Sequence, residues 1–210
     1  PYVIAKAAVS EDGFAGVPGA RAFLTGDEAN RYFHRQRAEL DAIVVGAGTM
    51  LTDDPQLTVR HVRRDRPLLR VIVDWRVRVP ASARRFSTRH GGPVIMAVTR
   101  EAAAARRPAL AALEAAGATF ELFDTTDIQA LLARLAEREV TLLLVEGGPS
   151  LQQAFFDAGV VDRVQRVESP KRLKEGIPAA AGFTPPEDAV THVTTLGADR
   201  LVEWDVYRTD

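Results

Sequence analysis

An acid at the tip of an apolar run is the first feature of this chain that asks for a chemical explanation. Leu143-Leu144-Val145 reads as a buried strand, and it delivers Glu146, Gly147, Gly148, Pro149, Ser150 and Leu151 in succession. A carboxylate at such a strand tip needs a partner or a task, because desolvating it unpaired is costly. Two glycines let backbone approach a ligand, Pro149 suits the first position of a helix, and free amides at a helix start attract phosphate. The same glycine pair would also serve a plain turn. A second strand end, Ile43-Val44-Val45, runs into Gly46-Ala47-Gly48. Its Gly-x-Gly is half of a dinucleotide fingerprint, but Leu51 holds the third glycine's place. No acid follows ~20 positions on at a strand end to hold a ribose hydroxyl. A tight strand-to-helix turn explains that segment equally well.

The run Thr49 to Arg60 carries paired carboxylates, Asp53 and Asp54, with no histidine or third acid close by. A metal site is therefore not expected, and Asp53 can serve as a helix or turn acceptor. The four histidines, His34, His61, His90 and His192, lack ligand spacing and are assigned to surface or helix faces. There is no cysteine, which removes disulfides, thiolate zinc sites and cysteine nucleophiles together. No Gly-x-Ser-x-Gly, Walker or His-Glu-x-x-His pattern occurs.

These residues need a scaffold, and 210 residues suffice for one domain with a sizeable core. Hydrophobic residues make up 46% and charged residues 26%, which excludes a disordered or collagen-like chain. A net charge of −1 argues against a general nucleic-acid or anionic-membrane binder. Apolar runs such as Val94 to Val98 are far too short to span a membrane, and no secretory segment is visible, so a cytoplasmic protein is expected. Charge is uneven, however: thirteen arginines between Arg60 and Arg107 face only Asp65, Asp74 and Glu101. A solvated basic face is one account and an anion site, suited to arginine's planar fork, is the other.

The patterning predicts strands over Tyr2–Val9, Ala42–Val45, Leu69–Val73, Val94–Val98, Thr119–Phe123 and Thr141–Val145. Thr25 and Glu28 have capping-box spacing ahead of a helix reaching Leu40. Further helices are predicted from Glu101 to Ala116, from Thr126-Asp127 to about Arg138, and from Pro149 to about Ala158. Asp12 to Gly19 and Arg84 to Gly92 read as loops, and Thr191–Thr195 with Leu201–Tyr207 as a closing hairpin. Alternating strands and helices imply an α/β fold: a mostly parallel sheet, helices on both faces and an antiparallel C-terminal hairpin.

Several stretches, taken in order, resemble the reductase domain of riboflavin biosynthesis, the C-terminal half of a bifunctional pyrimidine deaminase/reductase. They include Lys6–Gly13, Leu24–Ala29, Arg35–Gly46, Gly48–Arg60, Val71–Asp74, Val145–Leu151 and Ala158–Asp162, and span most of residues 2–171. The Thr-x-x-x-Asp-Asp-Pro-x-Leu-Thr-Val-Arg run, Thr49 to Arg60, is the most specific. The resemblance implies a dihydrofolate-reductase-like fold and NADPH-dependent reduction of a phosphorylated pyrimidine-ribosylamine. Hydride would go to ribose C1′ through a ring-opened imine.

By that resemblance Lys6 and Glu146 line the reacting centre and relay a proton as a pair, each shifting the other's pKa. Arg37, Leu57 and Arg60 match substrate contacts; Thr49 and Asp53 match cofactor contacts. Gly147, Gly148, Pro149, Ser150, Leu151 and Gln152 would cradle the cofactor pyrophosphate. Ala8 and Phe23 would meet the nicotinamide end and Trp75 would lie by the adenosine ribose; from position and charge, Arg76 or Arg100 would read a 2′-phosphate. Arg21-Ala22-Phe23 departs from the family's Ser-x-Trp, so a long cation replaces a small hydroxyl; Arg21 then strengthens phosphate binding or selects another acidic substrate. A homodimer formed through the closing hairpin, with no metal and no deaminase domain within residues 1–210, completes the expectation. The competing readings are a reductase of a pterin or another small heterocycle, and a non-catalytic nucleotide-binding module.

Overall fold

Apolar and β-branched runs become the strands of one nine-stranded sheet in the computed structural model, which describes residues 1–87 and 91–206. Seven of its strands, β1 (Tyr2–Ser10), β3 (Ala42–Gly46), β4 (Leu69–Val73), β5 (Val94–Thr99), β6 (Ala118–Phe123), β7 (Leu142–Val145) and β8 (Arg163–Ser169), are all parallel to their neighbours among these. β10 (His192–Leu196) and β11 (Asp199–Asp205) form the antiparallel closing hairpin, with β11 against β8. The order across the sheet is β10-β11-β8-β1-β7-β3-β4-β5-β6. Winding thus reverses around β1, β7 and β3, and the carboxyl ends of strands beside such a reversal leave a crevice.

Helices cover both faces. On one, α6 (Ile128–Ala136) and α7 (Pro149–Asp157) set Leu131, Leu135, Leu151 and Phe155 against Val3, Ala5, Val44, Leu143 and Val145. On the other, α2 (Ala47–Asp53), α4 (Arg100–Ala105) and α5 (Arg107–Ala115) set Met50, Ala103 and Leu113 against Ile4, Ile43, Val45, Ile72 and Leu144. Side chains alternate along a strand, so Lys6 shares its face with Ile4, and α1 (Asp27–Glu39) lies there too, its Phe33 beneath the Lys6 ammonium. Phe33 and Ala29 anchor that helix on Val167 and Leu201.

The structure departs from the sequence expectations at several points. No capping box forms: Gly26 is the N-cap, Thr25 bonds Asn30, and Asp199 accepts from the Gly26 amide at 2.7 Å. The helix expected over 101–116 breaks at Arg106 into α4 and α5, because Pro108 cannot donate to a carbonyl one turn back. The loop at 12–19 contains β2 (Phe14–Gly16), paired with β9 (Ile177–Pro178), and Arg84–Ser87 forms a helical turn, α3. His90 and Tyr207 lie outside the described residues.

Most of the described arginines of the basic window are exposed, as on a solvated face, but several are engaged by the protein's own acceptors. Arg64 spreads its guanidinium over the carbonyls ending α1, at 3.0 Å from Arg37, 2.6 Å from Ala38 and 2.6 Å from Leu40. Arg70 is buried and bonds the carbonyls of Gln56 and Gly92, while Arg100 pairs with Asp124 and Arg78 with Asp74. Arginine here satisfies orphan backbone acceptors in places that lysine's single ammonium would fill less well. Among the described residues no helix is long and apolar enough to cross a membrane.

Candidate active site

β7 ends at Val145, whereas β1 runs on to Ser10 alongside β8. Past Ala5, β1 has therefore lost its β7 neighbour, and its Lys6 carbonyl is met instead by Gln152 Nε2 from α7 at 2.8 Å. A cavity of about 330 Å³ opens where the strands part. Lys6 and Ala8 come to it from β1, Glu146, Gly147 and Gly148 from the end of β7, Arg37 from α1, and Thr49 and Asp53 from α2. The 54–60 segment supplies Leu57 and Arg60, and the loop before α1 supplies Arg21. Asp54 and Leu57 hold left-handed φ values of 41° and 52°, which non-glycine residues adopt only when surrounding structure imposes them.

Glu146 does not pair with Lys6. Its carboxylate is gripped by both arms of Arg37, Nε to Oε1 at 3.2 Å and Nη2 to Oε2. Burial works to raise its pKa, but Arg37 and then Lys6 outweigh burial and hold the carboxyl below its usual range. Among the described residues Lys6 has no ion pair or side-chain hydrogen bond; its Nζ sits 4.5 Å from the centroid of the Phe33 ring. Burial lowers its pKa, Glu146 opposes this, and Arg37 adds to it. The site therefore presents an anchored anion and a cation with weakened proton affinity. Asp53 faces the same space, its pKa raised by burial against the pull of Arg21.

A second hollow of about 480 Å³ continues from the first, sharing Thr49, Asp53, Gly148 and Pro149. Ser150, Leu151, Trp75 and Arg78 line it, and the β2 loop from Ala15 to Ala20 closes one side. The glycine pair divides its labour. A Cβ on Gly147 would lie 2.6 Å from Leu151, so this glycine, which also lines the cavity, is needed for strand–helix packing. Gly148 N donates to Thr49 Oγ1 at 3.0 Å, and the Leu151 and Gln152 amides turn back to the Gly148 carbonyl. Pro149 has no amide proton, so Ser150, exposed on the groove, is the donor left in that turn.

Two predicted contacts fall elsewhere. Phe23 is 69% exposed, lines neither hollow, and has the Arg21 guanidinium stacked on its ring at 4.6 Å. Arg76 is exposed and, like Arg100 with its Asp124 partner, does not line the groove, whereas Arg78, two residues along and 3.7 Å from Asp74, lines it together with Trp75. His34, expected on a surface or helix face, lies on α1 but is buried, 5% exposed, and contacts Arg60. Its position three residues before Arg37 put it on the cavity face of α1 and was the available signal. Among the described residues, no three metal-ligating side chains gather.

Residues 1–198 match the family model described as the RibD C-terminal domain. The chain belongs to the RibD C-terminal domain family. A relative from Methanothermobacter thermautotrophicus, named 2,5-diamino-6-ribosylamino-4(3H)-pyrimidinone 5′-phosphate reductase, is 32% identical over 98% of this chain and 98% of its own length. The riboflavin biosynthesis protein RibD of Aquifex aeolicus is 32% identical over 84% of this chain, which spans 48% of that protein, about half its length. A crystal structure from Thermotoga maritima, titled as a deaminase/5-amino-6-(5-phosphoribosylamino)uracil reductase, superposes with a TM-score of 0.77 at 25% identity, covering 98% of this chain and 56% of that one. The architecture is dihydrofolate-reductase-like, as the resemblance implied.

Proposed function

We propose that this RibD-family chain is an NADPH-dependent reductase of a 5-phosphoribosylamino-pyrimidine. The observation that carries the reading is the pairing of two joined hollows at one sheet reversal, one ending in Lys6, Glu146 and Arg60, the other running past Trp75 and Arg78. The residues present fit a nicotinamide dinucleotide. Gln152 lines the first cavity and its Oε1 is buried without a donor among the described residues, an acceptor that a carboxamide amino group would satisfy. Trp75 offers an aromatic side chain, and Arg78 a cation, among the residues lining the groove.

Bound there, NADPH would supply the hydride. The chain's own residues bind, align and handle one proton. Reduction of a ring-opened imine needs a proton at nitrogen as hydride arrives at C1′. Lys6 is the group equipped to give it, because burial weakens its hold on the proton. Glu146, kept ionised by Arg37, accepts from a ribose hydroxyl and fixes the sugar. With Arg37 engaged by Glu146, phosphate binding falls to Arg60 and Arg21 rather than to Arg37. Arg78, in place of Arg76, reads the 2′-phosphate.

The experiment follows NADPH absorbance with the phosphoribosylamino-pyrimidine, with dihydrofolate, and with no substrate. Oxidation with the pyrimidine alone is expected. Turnover of dihydrofolate only would replace the reading with a pterin reductase, and binding without turnover would leave a nucleotide-binding module. In the same assay Arg78→Ala should raise KM for NADPH about tenfold and spare NADH, the cost of one charge-assisted contact; equal loss with both would remove Arg78 from the 2′-phosphate.

A further inference from the structure

Arg60 reaches the cavity from an exposed stretch, yet it does not hang free. His34, one turn before Arg37 on α1, meets it twice: its Nδ1 lies 3.2 Å from the Arg60 amide and its Nε2 lies 3.1 Å from Arg60 Nε. A neutral imidazole has a single acceptor nitrogen, so one of these two contacts is a hydrogen bond at any moment. Either tautomer holds the arginine, once through the backbone and once through the guanidinium. Nε is the inner nitrogen of the fork, and the two terminal amino groups make no hydrogen bond to His34. The protein thus binds the stem of the fork and leaves the pair of donors that suits a phosphate.

We infer that His34 is a positioning residue for the phosphate end of the substrate, acting through Arg60. The inference rests on the proposed reductase reading and adds to it a residue that touches neither substrate nor cofactor. An acceptor is required at this place, because a protonated imidazole has only donors to turn toward an amide and a guanidinium. The groups around the ring set that state: Arg37 and Glu146 toward the cavity, Arg60, and His61, whose ring stands edge-on at 5.6 Å. Burial, Arg37 and Arg60 all disfavour charge on His34 and bring its pKa down to about 4, with Glu146 in opposition.

A double-mutant cycle tests this. His34→Leu should raise KM for the phosphorylated substrate about tenfold with kcat nearly unchanged, as loss of one orienting contact would. His34→Gln, which keeps an acceptor, should recover most of that loss. In an Arg60→Ala background His34→Leu should add less than about twofold, because paired residues are not additive. Full additivity, or a fall in kcat alone, would overturn the inference. Two measurements need no turnover and so separate this idea from the reductase reading. Calorimetric binding of ribose 5-phosphate should weaken in both single variants, and the His34 imidazole, followed by NMR titration, should titrate at higher pH in Arg60→Ala. An unmoved His34 midpoint would show that the two residues do not communicate, whatever the enzyme reduces.

Discussion

Glu146 is the residue whose surroundings say most about the chemistry. A largely buried carboxylate held below its usual pKa by a bidentate arginine is fixed as an anion, and Lys6 beside it has no carboxylate partner among the described residues, only the Phe33 ring. Were Glu146 only a structural ion-pair partner, Glu146→Gln would cost folding stability and little else. If it holds the sugar, Glu146→Gln should lower kcat about a hundredfold while the Kd for NADPH stays within a factor of two, as for loss of a group acting at the reacting centre. Stopped-flow reduction with a separate cofactor titration reads both, and equal losses would contradict the role.

At the scale of elements, the decisive junction is the end of β7 against the start of α7. Gly46 and Gly147 let the strand ends lie against Leu151, and Gly147 is the tighter, with no room for a methyl group. Gly147→Ala should therefore destabilise the fold by about 1–3 kcal/mol through overpacking. It should also displace Gly148 and loosen cofactor binding. Chemical denaturation measures the first effect; an unchanged midpoint would mean that α7 shifts freely and does not fix the turn. The same junction explains why Gln152 matters. It takes over the β1 carbonyl that β7 abandons, tying the first turn of α7 to the strand that carries Lys6.

For the whole molecule, acid is the natural stress. His34 has a folded pKa of about 4 against an ordinary 6.5, so between those values the unfolded chain binds a proton that the folded chain refuses. Its contribution is present above 6.5 and is lost as pH falls toward 4. Glu146 and Asp41, both held below the usual carboxylate range against the opposing effect of burial, act in the same direction at lower pH. Asp53, raised by burial, works the other way. Urea midpoints should therefore drop from pH 7 to pH 4, and His34→Gln should flatten part of that slope. A slope identical to wild type would show that His34 is not held neutral by the fold.

Local patterning alone carried the strand–helix alternation, the parallel sheet, the closing hairpin and the segments that meet at the site, because burial on both faces writes itself into continuous apolar runs such as Val71-Ile72-Val73. The family resemblance, not the patterning, singled out Lys6, Glu146, Thr49, Asp53 and Arg60, which the structure brings around one cavity. What patterning did not determine were the pairings across the chain. Arg37 is 109 residues from the Glu146 it grips, Arg64 covers carbonyls 24 to 27 residues away, and Asp199 replaces Thr25 at the start of α1. Spacing along a helix or strand is a property of the backbone and is repeated locally. Which charge meets which, and whether a cation finds a carboxylate, a carbonyl or open cavity, depends on distances that exist only after the sheet has closed on its helices.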